Sequence, residues 1–404
     1  MKMQPTQFHE RIVSIDVLRG FAVLGILIMN IQSFAMISAA YLNPTAYGNL
    51  TGANRWVWIL SHVFADTKFW TIFSLLFGAG IVLFTERLKA KGINSIALHY
   101  RRILWLLIFG LMHAYLLWSG DILVAYSVCG LLTVLFRNLK PKSLLWIGIA
   151  FFSVSSLLYL LSGFSMPFWP EESLYGLKET WLPSEETIRH QLEALRGSWI
   201  SQMEVRVPDS LSMQTYIFFY NTGWRTFGLM LIGMGLYKLG ILSARKSTGF
   251  YIRMALIALL VGFPLVLLGV VNNFNHEFSL DYSFFLGSQF NYWGSLGVSL
   301  GYVAIMMLVV KACKNGWIVK SLKAVGQMAF TNYLMQTIIC TFIFYGHGLG
   351  FFGKIERTGQ ILIVLPVWTF QMIVSPVWLK YFKYGPFEWL WRSLTYWKLQ
   401  PMKK

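Results

Sequence analysis

Long apolar runs recur from one end of the chain to the other, separated by short basic stretches and one long acidic stretch. Ten of them are read as spanning helices: 17–40, 57–84, 103–118, 122–136, 143–162, 216–237, 250–272, 287–310, 325–345 and 360–379. They match the roughly 17–25 apolar residues that a helix needs to cross a hydrocarbon core of about 30 Å. The pattern predicts an all-α polytopic bundle of about ten spanning helices. The first run offers Ser38, Ala39 and Ala40 as a signal-peptide cleavage site, but its apolar part is too long for one and Arg19 sits inside its start. It is read as a retained span.

The intervening stretch 163–215 is different. Ile188, Leu192, Leu195, Trp199 and Met203 recur there at three- and four-residue steps, which predicts an amphipathic helix. Such a helix either packs on the bundle or serves as a lid over an outward-facing site.

Composition agrees with the pattern. Of the 404 residues 56% are hydrophobic and only 13% charged, against about 25% charged in a soluble domain. A soluble enzyme, a disordered chain and a disulfide scaffold are excluded. The net charge of +17 is a signature of topology, not of nucleic-acid binding. Of 34 Lys and Arg, 25 fall in the N-terminus, 85–102, 137–142, 238–253, 311–324 and the C-terminus, and seven in the alternate loops. The positive-inside bias then places both termini in the cytoplasm and the 163–215 loop outside. Cys129, Cys313 and Cys340 are too far apart for a metal or disulfide framework, and no metal site is expected.

Ionisable groups inside spans are costly and mark function by default. On the second run these are His62, Asp66 and Lys68; on the third, Arg102 and His113; Asp121 follows in a tight turn, and Arg225 lies in the sixth. Eleven helical steps separate Arg102 from His113, which puts both on one face about 16 Å apart. A cation at the inner surface holds phosphates while an imidazole meets the reactive end. Arg19 and Asn30 repeat the spacing on the first run, with Asp16 one turn from Arg19. His62 and Asp66, four residues apart, form a second candidate base and its orienting carboxylate. Lys68 or Arg225 can neutralise Asp66 or Asp121. Asn332 and Gln336 share a face of the ninth run beside Tyr333. The amphipathic segment from Gly385 to Arg392 reads as an inner-surface anchor whose Arg392 can also reach a cytoplasmic ligand. No Walker loop, dinucleotide fingerprint or HExxH motif is present, which removes support for ATP-driven transport and zinc hydrolysis.

Several of these segments resemble a known family. Ser14-Ile15-Asp16-Val17-Leu18-Arg19-Gly20-Phe21 with Asn30, Phe73 to Gly80, Gly110 to His113, Gly120-Asp121-Ile122-Leu123 with Tyr126, Gly326 to Tyr333, and the Gly-Pro-Phe-Glu-Trp-Leu-Trp-Arg run resemble the YeiB-like bacterial membrane proteins. The resemblance implies a division into an N-terminal transmembrane bundle, 1–240, and a C-terminal YeiB-like transmembrane domain, 241–404. It also implies kinship with transmembrane acyltransferases, which take an acyl group from cytoplasmic acyl-CoA to an acceptor beyond the membrane. Surface-sugar O-acyltransferases share the Arg, ten residues, His spacing, but carry a first-helix His where this chain has Asn30. The lysosomal branch places a His before an Asp near the outer end of its second helix, as His62 and Asp66 do.

The expectation is therefore an acyltransferase of the bacterial inner membrane, working in the lipid bilayer on acyl-CoA and a glycan or small-molecule acceptor. Arg19, Arg101 and Arg102 would hold the pyrophosphate. His113 or His62 would be the base, oriented by Asp121 or Asp66. A permease or exporter for a small anion or metabolite, with the same charges lining its path, is the alternative. A scaffold without a small-molecule site explains the buried charges least well.

Overall fold

The computed structural model describes residues 11–404. Residues 1–10, His9 among them, lie outside the described part. Apart from an isolated bridge between Phe382 and Lys403, the described residues form helices, turns and loops only. The helices are α1 Val13–Ala35, α2 Ser38–Leu42, α3 Gly52–Phe64, α4 Lys68–Ala90, α5 Ser95–Leu116, α6 Leu123–Thr133 and α7 Pro141–Ser165. Then come α8 Glu171–Trp181, α9 Glu185–Arg196, α10 Met203–Gln214, α11 Gly223–Lys238, α12 Thr248–Asn275, α13 Leu280–Tyr282 and α14 Ser288–Ala312. α15 Trp317–Gln327, α16 Ala329–Phe344, α17 Arg357–Tyr381 and α18 Pro386–Tyr396 complete the chain.

Each of the ten expected segments is helical. Among the described residues seven helical stretches, Gly52–Ala90 taken as one, are long and apolar enough to cross a membrane, and Leu123–Phe136 and Ala329–Phe344 are shorter apolar ones. Leu104, Ile108 and Met112 on α5, and Leu256, Ile257 and Leu260 on α12, are exposed outward. A soluble protein rarely leaves such contiguous apolar faces uncovered; hydrocarbon covers them here. The main core draws on α1, α4, α11 and α14.

The structure departs from the sequence reading in three places. The run 57–84 is not one helix: α3 stops at Phe64, Thr67 takes a left-handed φ of 62°, and α4 starts at Lys68. A β-branched residue in that region costs on the order of 1–3 kcal/mol, so its surroundings must hold it. The run 325–345 is preceded by an unexpected amphipathic helix, α15, and α16 begins only at Ala329. α15 crosses α1 with backbones in contact. A Cβ on Gly326 would lie 1.8 Å from the Asp16 carbonyl oxygen, so glycine is required. Third, the amphipathic pattern 188–203 is not continuous. It breaks after Arg196, leaving Trp199 in a turn and Met203 at the start of α10.

α9 and α10 cap one end of the bundle. Leu195 O accepts from Gly346 N at 2.9 Å, and Arg196 Nε donates to Phe352 O at 2.7 Å. Beside them Ser210 Oγ donates to Ala114 O at 2.9 Å and Arg206 Nη1 to Leu116 O at 3.0 Å. Arg206 is thereby buried.

Candidate functional site

At the opposite, basic end of the bundle a cavity of about 280 Å³ opens between α1, α4, α5, α16 and α18. Five arginines (11, 19, 87, 102 and 392) and two carboxylates, Asp16 and Glu388, line it, a surplus of three positive charges. Asp16 accepts from Arg19 at 3.2 Å, Arg11 at 3.4 Å and Gln327 Nε2 at 3.3 Å. The Arg102 guanidinium lies between two rings, 4.7 Å from the Phe84 centroid and 4.5 Å from that of Trp391. Trp391 also donates its indole N–H to Arg102 O at 2.9 Å, so α18 holds the arginine at both its guanidinium and its backbone.

α18 is thus docked into the protein, and the reason is visible locally. α16 begins without a capping side chain of its own, leaving the orphan N–H groups that every helix start carries. Glu388 takes two of them, Phe330 N at 2.7 Å and Thr331 N at 3.1 Å, and accepts the Thr331 hydroxyl at 2.6 Å as well. A carboxylate there also meets the positive end of the helix dipole. Burial still pushes the Glu388 carboxyl above its ordinary pKa. Arg392, one turn along, is pushed down by burial and by repulsion from Arg11.

Away from the basic end the lining turns apolar. Along α5 it passes from Arg102 to Leu106, along α4 from Arg87 to Phe73, and along α16 from Phe330 to Tyr333. Behind Tyr333 lies His113, 2% exposed, with ring centroids 5.2 Å apart. His113 Nδ1 is 2.7 Å from Asp121 Oδ1, and Nε2 is 2.9 Å from Thr337 Oγ1. The other Asp121 oxygen accepts Val124 N at 2.7 Å, so the carboxylate is held at the start of α6. A carboxylate on Nδ1 fixes the tautomer that leaves Nε2 free to take a proton.

The second group of candidates gathers at the break between α3 and α4. His62 Nδ1 lies 3.0 Å from Asp66 Oδ2. Asn291 Nδ2 donates to the same oxygen at 2.7 Å, and Tyr41 reaches Oδ1 at 3.4 Å. Lys68, fully buried, donates to His62 O at 2.7 Å and Asn291 Oδ1 at 2.5 Å. Arg225 donates to Ser295 Oγ at 2.9 Å and stacks on Trp70 and Tyr292 at 4.7 and 4.6 Å. The bonds of Asp66 and Lys68 brace the residues on either side of Thr67.

The remaining candidates fall elsewhere. Arg101 does not line the cavity; its guanidinium lies 4.8 Å from the Trp397 ring. Asn30 is half-buried on α1 and makes no polar contact with either cluster among the described residues. Asn332 bonds Val325 O and Ser375 at 3.1 Å each, and Gln336 bonds Val23 O at 3.0 Å and Gln371 at 2.9 Å. They tie α16 to α1, α15 and α17. Sequence reasoning missed Glu388, Thr337, Tyr41 and Asn291. Thr337 carried a usable signal, one turn beyond Tyr333 on a helix already marked as polar; Tyr41 and Asn291 come close only through the fold.

Residues 236–398 match the family described as "Protein of unknown function (DUF418)". The chain is 33% identical to "Uncharacterized protein YxaH" of Bacillus subtilis over a 424-residue alignment covering all of this chain and 98% of the relative. It is 32% identical to "Uncharacterized protein YeiB" of Escherichia coli over 388 residues, 96% of each chain. A third relative, an "Uncharacterized 39.9 kDa protein in amylase 3'region" of Bacillus acidopullulyticus, is 28% identical over 403 residues.

Proposed function

The chain belongs to the YeiB-like family of membrane proteins, and from that footing we propose that it transfers an acyl group across the bacterial inner membrane, from acyl-CoA to an acceptor at the outer face. One observation carries this reading: a cation-lined cavity whose apolar far wall rests on a buried imidazole–carboxylate pair. An acyl-CoA has the matching polarity, with phosphates at one end of a long arm and a thioester at the other. Arg102, Arg19 and Arg392 would take the phosphates by charge-assisted, bidentate contacts. The thioester would lie against Tyr333. His113 would accept the proton of the attacking hydroxyl or amine, with Asp121 stabilising the imidazolium. His62 with Asp66 is the second candidate base. The positive-inside bias of the basic loops supports a cavity that faces the cytoplasm, where the donor would be.

The permease reading keeps one specific support. A helix broken within the membrane around buried charges, as α3–α4 is at Asp66 and Lys68, is a common build for a substrate site in transporters.

Acetyl-CoA does not cross membranes, so its binding to sealed vesicles tests ligand and orientation together. Inside-out vesicles should bind it saturably, and right-side-out vesicles only after permeabilisation. Acetyl-pantetheine, which lacks the pyrophosphate, should compete poorly. Absence of binding on both faces, or equal binding on both, overturns the reading.

A further inference from the structure

Thr337 is 1% exposed, and its hydroxyl meets the one imidazole nitrogen that Asp121 leaves free. Hydroxyl, imidazole and carboxylate thus stand in line at 2.9 and 2.7 Å, contributed by α16, α5 and the turn before α6. This is the arrangement of a nucleophile, its base and the group that orients the base, recognised by geometry and not by chain order. A buried histidine needs only some polar partner on each nitrogen; a second feature goes beyond that need. The Tyr333 hydroxyl, on the same helix one turn back, is buried and donates to no group among the described residues. Its ring is both the wall of the cavity and the neighbour of His113.

Resting on the acyl-transfer reading above, we propose that Thr337 is a catalytic nucleophile that carries the acyl group as an ester between donor and acceptor, with His113 as base, Asp121 orienting it and the Tyr333 hydroxyl donating to the oxyanion. In the first half, Thr337 Oγ1 bonds to the thioester carbonyl carbon and its proton passes to His113 Nε2. The tetrahedral adduct collapses, the carbon–sulfur bond breaks, and the CoA thiolate leaves with that proton as the free thiol. In the second half, the acceptor hydroxyl or amine bonds to the ester carbon and gives its proton to His113. The carbon–oxygen bond to Thr337 breaks, and Oγ1 recovers the proton. No oxidant or further reactant enters.

The position of Thr337 gives the relay its purpose. Arg102 and His113 are eleven helical steps apart on α5, about 16 Å, whereas the outer cap bonds Ala114 O and Leu116 O, within one turn of His113. A donor held at the cations and an acceptor arriving under the cap therefore approach one buried point from opposite ends. A covalent acyl-enzyme lets the first leave before the second arrives.

The test uses purified full-length protein in bilayer discs with radiolabelled acetyl-CoA, no acceptor, and an acid quench. The peptide holding Thr337 should gain one acetyl group, with one CoA released per site. Thr337→Ser should keep the adduct. Thr337→Val, nearly the same shape, should bind acetyl-CoA normally yet form no adduct and release CoA at least about 100-fold more slowly. Tyr333→Phe should slow adduct formation by about 10²–10³-fold at unchanged binding. A Thr337→Val protein releasing CoA at the wild-type rate, or a wild-type adduct on another residue, sinks the relay and leaves direct transfer standing. Wild-type protein that never binds or consumes acetyl-CoA removes the acyl-transfer reading, and this proposal with it.

Discussion

Among the described residues two histidine–carboxylate pairs of nearly equal geometry lie within the bundle, the buried His113–Asp121 at 2.7 Å and the part-buried His62–Asp66 at 3.0 Å. Their surroundings differ. Asp121 has one imidazole and one backbone N–H to serve. A proton arriving on His113 would therefore be met by a carboxylate that bonds no Lys or Arg among the described residues. Asp66 is shared among His62, Asn291 and Tyr41, with the Lys68 ammonium bound to the same asparagine. Lys68 and Arg225 both act on Asp66 from the same pocket. The pair alone does not make a base; what matters is whether the carboxylate is already spent. On the proposed reading the first pair moves the proton beside the cavity, and the second braces the break between α3 and α4.

Mutating each histidine is the most direct way to break this contrast. His113→Ala should reduce acetyl-CoA-dependent turnover by about 10²–10⁴-fold, the usual worth of a general base, while acetyl-CoA binding is unchanged. His62→Ala should stay within about tenfold, under ~1.4 kcal/mol in the barrier. The opposite order would move the chemistry to the α3–α4 break. Wild-type turnover in both would end the mechanism and favour the permease.

The carboxylates should separate stability from activity in the reverse sense. Asp66→Ala leaves Lys68 and Arg225 buried without a counter-charge, and breaking such a group costs about 3–5 kcal/mol. Asp121→Ala strands only neutral hydrogen-bonding groups, at about 1–3 kcal/mol, but should lose most of the turnover. Thermal unfolding followed by loss of monodisperse protein measures the first quantity. Adding Lys68→Met to Asp66→Ala should recover part of the loss. Equal melting of the two single variants would mean that the α3–α4 charges do not hold the break.

These contrasts were only partly legible in the chain. Helical spans announce themselves, because a run of apolar residues in hydrocarbon must close its own backbone hydrogen bonds. The Arg102 and His113 spacing was equally readable, since one helix face is a matter of counting. The break at Thr67 was hidden: no glycine or proline marks it, and contacts with Asn291 and Tyr41, residues remote in sequence, hold it. α15 was hidden for a similar reason. Its pattern merged with the following span, and the contact that fixes it, Gly326 on the Asp16 carbonyl, joins chain segments three hundred residues apart. Glu388 looked like part of a surface anchor because its partners, the open N–H groups of α16, exist only once that helix has formed.

The smallest effects expected concern the two adjacent arginines on α5, which bring the contrast down to a single helical step. Arg102 lines the cavity between Phe84 and Trp391, whereas Arg101 points to Trp397 outside it. Charge-assisted hydrogen bonds are worth about 1.5–3 kcal/mol each, so Arg102→Ala should weaken acetyl-CoA binding by about 10–100-fold. Arg102→Lys should restore part of it, because an ammonium keeps the charge but loses the planar fork and its stacking on two rings. Arg101→Ala, and Arg189→Ala on the exposed face of α9, should change binding less than about twofold, since screening over a Debye length of ~10 Å removes distant charges. If Arg101 and Arg102 matter equally, the ligand responds to the general basicity of that end of the bundle. If only Arg102 matters, and its loss is felt in binding but not in the rate of acyl transfer once donor is saturating, then the cations hold the donor and the chemistry belongs to the buried pair beyond Tyr333.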